Sequence, residues 1–289
     1  MKHYRSARRT FLIGAAATTL STIGMTSFSN TASTASATIR LAVLKFGTVN
    51  WELNVIKHHG LDVEAGLNLD VVGLANKDAT AIAFNAGDVD MIVTDWIWTS
   101  RQRDAGADFT FVPYSVAAGS VMVHPDSGIE TLSDLRGKKI GVAGSPIDKS
   151  WLLLRAYTLK TFGEDMGKIA KPIYAAPPLL NEKFKQREFD AVLNYWNYTA
   201  RLRAAGMKEL IKVQELLPEL GVPGRLPLIG YVFEEKWAKT NAKMLKTFFR
   251  ASKMARQIML ESDSEWERLR PFTRAKNDAT LIALRDGYR

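Results

Sequence analysis

The chain has 289 residues, of which 46 % are hydrophobic and 24 % charged, with a formal charge of +9 and no cysteine. Without cysteine there are no disulfides, no zinc-thiolate sites, no cysteine nucleophile and no lipid-acylated N-terminal cysteine. The first 37 residues carry four bases, Lys2, Arg5, Arg8 and Arg9, and no acid, so the remainder holds 35 Lys and Arg against 30 Asp and Glu, a charge of only +5. With no Lys/Arg cluster interleaved with aromatics, nothing favours a nucleic-acid partner.

Taken in chain order, the basic start is followed by the apolar run "FLIGAAATTL", a Ser/Thr-rich stretch and Ala35-Ser36-Ala37. This is the layout of an export signal ending in an A-x-A cleavage site, so residues 1–37 stand outside the fold. "RRTFL" is similar to a twin-arginine export signal, an address that a receptor reads and not an anchor. No later run reaches the ~18 apolar residues of a membrane helix, so the exported chain is expected to be free of the membrane.

From residue 39 strands and helices alternate. "IRLAVL" reads as a strand, "NWELNVIKHHG" as a helix with Asn50 as N-cap and Gly60 at its end, and "LDVVGL" as a second strand. "DATAIAFNAG" gives another helix and "VDMIVT" a third strand. That order predicts a parallel sheet with helices on its faces.

The pattern then repeats at an offset of 100 residues. "KKIGVAG" falls over the first strand, Trp151 over Trp51, and "FKQREFDAVLNYW" over "FNAGDVDMIVTDW" without a gap. Phe184 thus matches Phe84, Asp190 matches Asp90, and Trp196 matches Trp96. Duplication of one β-α-β-α-β unit predicts an α/β protein of two lobes, each a mainly parallel sheet flanked by helices. The first lobe is expected over residues 38–115 and the second over 116–227, with residues 228–289 returning to the first. "VPYSVAAGSVMV" and "LPELGVPGRLPLIGYVF" are the expected crossings, a two-strand hinge. "EKWAKTNAKMLKTFFRASKMARQIML" reads as amphipathic helix. The closing "LIALRDGYR" still reads as helix, so the end of the sequence need not be a natural terminus.

In open parallel sheets ligands bind beyond the carboxyl ends of the strands. Trp51 and Trp151 follow the first strand of each unit, and Trp96 and Trp196 the third, so the repeat predicts that all four meet in one cleft. Facing indoles can sandwich a planar ligand or cage a cation. Asp95, in "TDWIW", has two readings of equal weight: a helix cap, or a carboxylate facing an amine, amidine or hydroxyl of the ligand. Its counterpart Tyr195 would offer a hydroxyl. Asn50, Ser145 and Ser150 open helices whose free N–H groups can hold an anion. Lys77, Asp78, Asp148 and Lys149 read as solvated rim charges, with Lys77 able to help hold an anion. Trp237 and Trp266 read as core. The histidines, with His58 and His59 at a helix end, have no metal-ligand spacing, and no G-x-S-x-G is present.

"IETLSDLRGKKIGVAG", "AGDVDMIVTD" and "FDAVLNYW" resemble the periplasmic substrate-binding proteins of ABC importers, over roughly residues 39 to 260. The similar group includes binders of taurine, alkanesulfonates, nitrate and thiamine-related pyrimidines. The resemblance implies a type II two-lobe fold closing on a small molecule, which is an amine, a sulfonate or a pyrimidine-like ring, and delivery to an ABC permease in the inner membrane. It implies a monomeric periplasmic protein that needs no cofactor and is not an enzyme. Carried over by position, the pocket loops are Gly47 to Trp51, which adds Thr48, then Asn76 to Asp78, Thr94 to Trp96, Ser145 to Trp151, and Asn194 to Trp196. A tryptophan in every one of these loops except Asn76 to Asp78 departs from the family pattern and argues against a ligand that is only a sulfonate or nitrate. The alternatives are an enzyme acting on a pyrimidine-like molecule on the same scaffold, and a ligand-sensing subunit of a membrane receptor.

Overall fold

The computed structural model describes residues 37–222 and 226–289, so the export signal read at residues 1–37 lies outside the described residues except for Ala37. Strands β1 (Ala37–Leu44), β2 (Leu67–Leu74), β3 (Met91–Asp95) and β4 (Phe109–Ser115) come first, with helices α1 (Val49–His58), α2 (Lys77–Asn85) and α3 (Trp96–Asp104) between them. Next come β5 (Ser120–Val123), β6 (Lys139–Ala143), α4 (Lys149–Phe162), α5 (Met166–Ile169), β7 (Lys171–Ala175), α6 (Pro177–Lys185), β8 (Ala191–Asn194), α7 (Trp196–Ala204) and β9 (Lys208–Lys212). The chain closes with β10 (Ile229–Glu234), α8 (Glu235–Thr240), α9 (Ala242–Glu261), α10 (Asp263–Thr273) and α11 (Asp278–Tyr288).

Two five-stranded sheets result, ordered β2-β1-β3-β10-β4 and β7-β6-β8-β5-β9. In each, the three strands of the repeated unit are parallel, and the next one is antiparallel: β10 in the first, β5 in the second. The sheets are therefore mixed, and the antiparallel member of each is the strand that has just crossed from the other lobe. The first crossing is tight. Gly119 has φ +113°, and a Cβ there would lie 2.0 Å from the carbonyl oxygen of Asn194, so only glycine lets this backbone press on the end of β8.

The duplication is visible atom by atom. Helices α2 and α6, like α3 and α7, start and stop 100 residues apart. Asp90 accepts the backbone N–H of Arg40 at 2.8 Å and returns its own N–H to the same residue's carbonyl. Asp190 makes the same pair of bonds with Lys139. Phe84 and Phe184 are both buried between helix and sheet.

The predicted C-terminal helix is instead two, α8 and α9, divided at Asn241, whose backbone leaves the helical region (φ −112°, ψ 24°). Helix α9 packs on α1 of the first lobe, whereas α11 packs on α7 of the second, so the return covers both lobes. Among the described residues no helix is long and apolar enough to cross a membrane.

Candidate functional site

Between the lobes lies an inner cavity of about 90 Å³, which opens into a wider mouth of about 390 Å³. Both parts share Leu44, Gly47, Lys77, Thr94 and Tyr195, and so form one cleft beyond the carboxyl ends of β1, β3, β6 and β8.

Asp95 is the last residue of β3 and the N-cap of α3, where one carboxylate oxygen accepts the N–H of Trp98 at 2.9 Å. The other oxygen is paired with the Lys77 ammonium. Of the two sequence readings of this residue, the helix cap is present, and the second oxygen is engaged by a cation of the same lobe. Burial by itself would raise its pKa, but Lys77, Lys149 and the Trp98 N–H outweigh that and hold it below the usual carboxylate range. Lys77, conversely, is raised: burial opposes its charge, and Asp95 and Asp148 prevail. Its place is set by Asn76, which caps α2 by accepting the N–H of Ala79 at 2.8 Å.

On the opposite wall, Asp148 and Lys149 are 3 % and 4 % exposed, which corrects the reading of them as solvated rim charges. Asp148 is the N-cap of α4 and accepts the N–H of Ser150 at 2.9 Å; its second oxygen accepts the Tyr195 hydroxyl at 3.0 Å. Tyr195 therefore does not offer a free hydroxyl. Burial and the neighbouring Asp148 push its pKa well up, so it stays a neutral donor committed to that carboxylate. Its ring lies beneath the Lys149 ammonium, 5.0 Å from the ring centre. Among the described residues Lys149 has no carboxylate within ion-pair distance, and it lines the inner cavity. This buried, unpaired cation is the feature that sequence reading missed; a lysine between Asp and Ser at a helix start looks like a solvated cap, and no local signal marks its burial.

The structure redistributes the four tryptophans. Trp51 and Trp151 are third residues of α1 and α4, which turns them onto their own sheets, so both sit in core: Trp51 is 4 % exposed and packs edge-on against Trp266, and Trp151 is fully buried. Neither lines the cleft. Trp96 leaves the first lobe and packs on the hydrophobic core of the second, and Trp196 leaves the second and packs on the core of the first, 5.8 Å from Trp51. They are not facing walls of a sandwich. Trp196 also borders the inner cavity, and Trp98, stacked 5.8 Å from Phe109, lines the mouth.

The capping residues are corrected too. Asn50 is the second residue of α1; its amide donates to the carbonyls of Leu44 (2.7 Å) and Gly47 (2.8 Å) and so shapes the loop. The N-cap is Thr48, which makes no side-chain cap bond and borders the inner cavity; the N–H groups of Asn50 and Trp51 turn back to the carbonyls of Gly47 and Thr48. Ser145 lines the mouth. Ser150 is buried in α4 and lines neither part of the cleft. Tyr114, which sequence reading did not select, lines the inner cavity with its hydroxyl buried. Among the described residues no group of three or more His, Asp or Glu is placed to hold a metal ion.

Two α/β lobes joined by two crossings, with a charged cleft at the strand ends, define the two-lobe periplasmic binding protein fold. The fold matches the alkanesulfonate-binding protein SsuA from Xanthomonas axonopodis pv. citri bound to MOPS, with a TM-score of 0.69 and 20 % identity over 87 % of this chain and 84 % of that one. It also matches the periplasmic aliphatic sulphonate binding protein SsuA from Escherichia coli (0.68, 22 %, 88 % and 84 %). A third match is the periplasmic nitrate-binding protein NrtA from Synechocystis PCC 6803 (0.65, 14 %, 86 % and 69 %). The model of the family described as NMT1/THI5 like matches residues 52–265, and the chain belongs to that family. No curated protein matches the chain.

Proposed function

We propose that the protein is an exported, periplasmic solute-binding protein that takes a small organic anion, a sulfonate or a carboxylate, into the cleft and delivers it to the permease of an ABC importer. The observation that carries this is Lys149, a buried lysine with no carboxylate within ion-pair distance on the wall of the cleft. Asp95 at longer range and the Tyr195 ring only partly offset the cost of burying this charge, and an anion entering the cavity offsets more of it. The N-terminus of α1 at Thr48, which has no side-chain cap, adds its partial positive charge from the other wall of the cleft. An amine is less well served, because Asp95 is already neutralised by Lys77. The alkanesulfonate and nitrate binders that share the fold support an anionic ligand. Binding without turnover, a monomeric state and export through the twin-arginine route belong to the same reading.

Because Trp196 borders the cavity, tryptophan fluorescence and melting temperature report occupancy. Titration with alkanesulfonates, short carboxylates, amines and aminopyrimidines should give saturable signals with the anions. Lys149→Gln should weaken the best of them by roughly 10- to 100-fold, the worth of a charge-assisted hydrogen bond. Saturable binding of amines or pyrimidines but not of anions, or full affinity in Lys149→Gln, rejects the proposal.

A further inference from the structure

Adjoining the cleft, with Gly47 in the shared wall, is a smaller pocket of about 50 Å³. Lys45, at the end of β1, Arg201, on α7, and Arg274, between α10 and α11, line it together with Asn50 and Asn197, and no Asp or Glu does. Among the described residues none of the three cations is in an ion pair, although Arg203, Arg268 and Arg270 on the same helices each hold a carboxylate. Arg201 donates to the carbonyls of Thr273 and Arg274, while its Nε is buried without a partner. Burial lowers its proton affinity against the opposing effect of Tyr198, and the Arg274 charge lowers it further. Arg274 lies over the Phe46 ring at 5.7 Å and has a left-handed backbone, φ 57° and ψ 32°, which a non-glycine residue takes at a cost.

Like charges gathered in a recess beside the Asn197 amide, and left without acids, make an anion site. We propose that this pocket binds a tetrahedral oxyanion, sulfate or phosphate, at a site distinct from that of the cleft ligand. About 50 Å³ is room for roughly four water-sized atoms, the size of such an ion. Lys45 belongs to the first lobe and Arg201 to the second, so the bound ion would join them and favour the closed arrangement. Linkage then requires that cleft ligand and oxyanion strengthen each other's binding.

The test is the melting temperature of the exported chain in increasing sodium sulfate or sodium phosphate, against sodium chloride at equal ionic strength. A saturable rise of roughly 3–5 °C over chloride is expected near ten times the dissociation constant. The two salts show which oxyanion is preferred. Arg274→Asn, which removes the charge and suits the left-handed backbone, and Lys45→Gln should each abolish the rise. Both side chains are exposed, so both variants should fold. Lys149→Gln should keep it. No saturable rise over chloride, a rise that survives in Arg274→Asn and Lys45→Gln, or one lost in Lys149→Gln alone overturns the proposal. The last outcome would place the ion in the cleft.

Discussion

Replacing Glu52 by glutamine should make the protein more stable above neutral pH and leave it nearly unchanged in mild acid. Glu52 is on α1, fully buried, with one oxygen accepting the Ser252 hydroxyl at 2.6 Å and the Tyr231 hydroxyl at 3.2 Å; the Arg256 guanidinium stands 3.9 Å from the other. Burial outweighs those partners and raises the pKa from 4.5 to about 7. Below about pH 4.5 the folded and unfolded chains both hold the proton. Between there and about pH 7 only the folded chain does, so stability falls by about 1.4 kcal/mol per pH unit, or about 3 kcal/mol in all, and it levels off above. Glutamine keeps the acceptor for Ser252 and Tyr231 and cannot ionise. Urea unfolding of parent and Glu52→Gln at pH 4.5, 6, 7 and 8 isolates the effect, since all other titrating groups are common to both. The difference should grow in favour of the variant by about 3 kcal/mol across that range, a relative melting shift of roughly 6–12 °C. A difference that does not change with pH would refute the reasoning.

Three further outcomes are expected. Asp95→Asn should retain the cap on Trp98 and lose the pairing with Lys77; because the Asp95 pKa is depressed, the parent's advantage should be full above about pH 4 and disappear as the solution becomes more acidic, measured by thermal unfolding. Trp196→Ala should cost roughly 2–4 kcal/mol in urea unfolding, below the full cost of a completely buried indole, and a loss under about 0.5 kcal/mol would contradict its place against Trp51. Gly119→Ala should destabilise by more than about 2 kcal/mol or fail to fold, as its methyl group would meet the Asn194 carbonyl; normal stability on calorimetry would contradict the tight crossing.

The repeated part of the fold was readable because its signals are local and come twice. The Asp90 and Asp190 turns, the Phe84 and Phe184 anchors and the strand ends at Asp95 and Asn194 are set by neighbours in the chain, and shifting the sequence by 100 residues doubles each signal. What joins the copies was less readable. The pairing of β10 with β3 and β4, the break at Asn241 and the docking of α11 on α7 depend on surfaces that exist only after both sheets form. The candidate site shows the same divide. Asp95 was marked by its place after a strand, but the burial of Lys149 depends on Tyr195, 46 residues further along the chain and across the sheet. The tryptophans misled for a physical reason. A position just past a strand end says that a residue is near the cleft, whereas its helical phase decides which way the side chain points, and that phase turns Trp51 and Trp151 inward.

The exchange of Trp96 and Trp196 has a kinetic consequence. Each indole plugs the other half of the molecule, so parting the sheets withdraws two large apolar groups in one event and leaves a hole on either side. A fully buried side chain returned to water costs about 1.5–3 kcal/mol, and the two half-buried indoles together oppose spontaneous opening by a part of twice that. A solute held between the lobes would then leave at the pace of that withdrawal, however weak its own contacts. Residence time and contact strength become separate properties, and trimming Trp96, which lines neither part of the cleft, should shorten the first while leaving the second almost untouched.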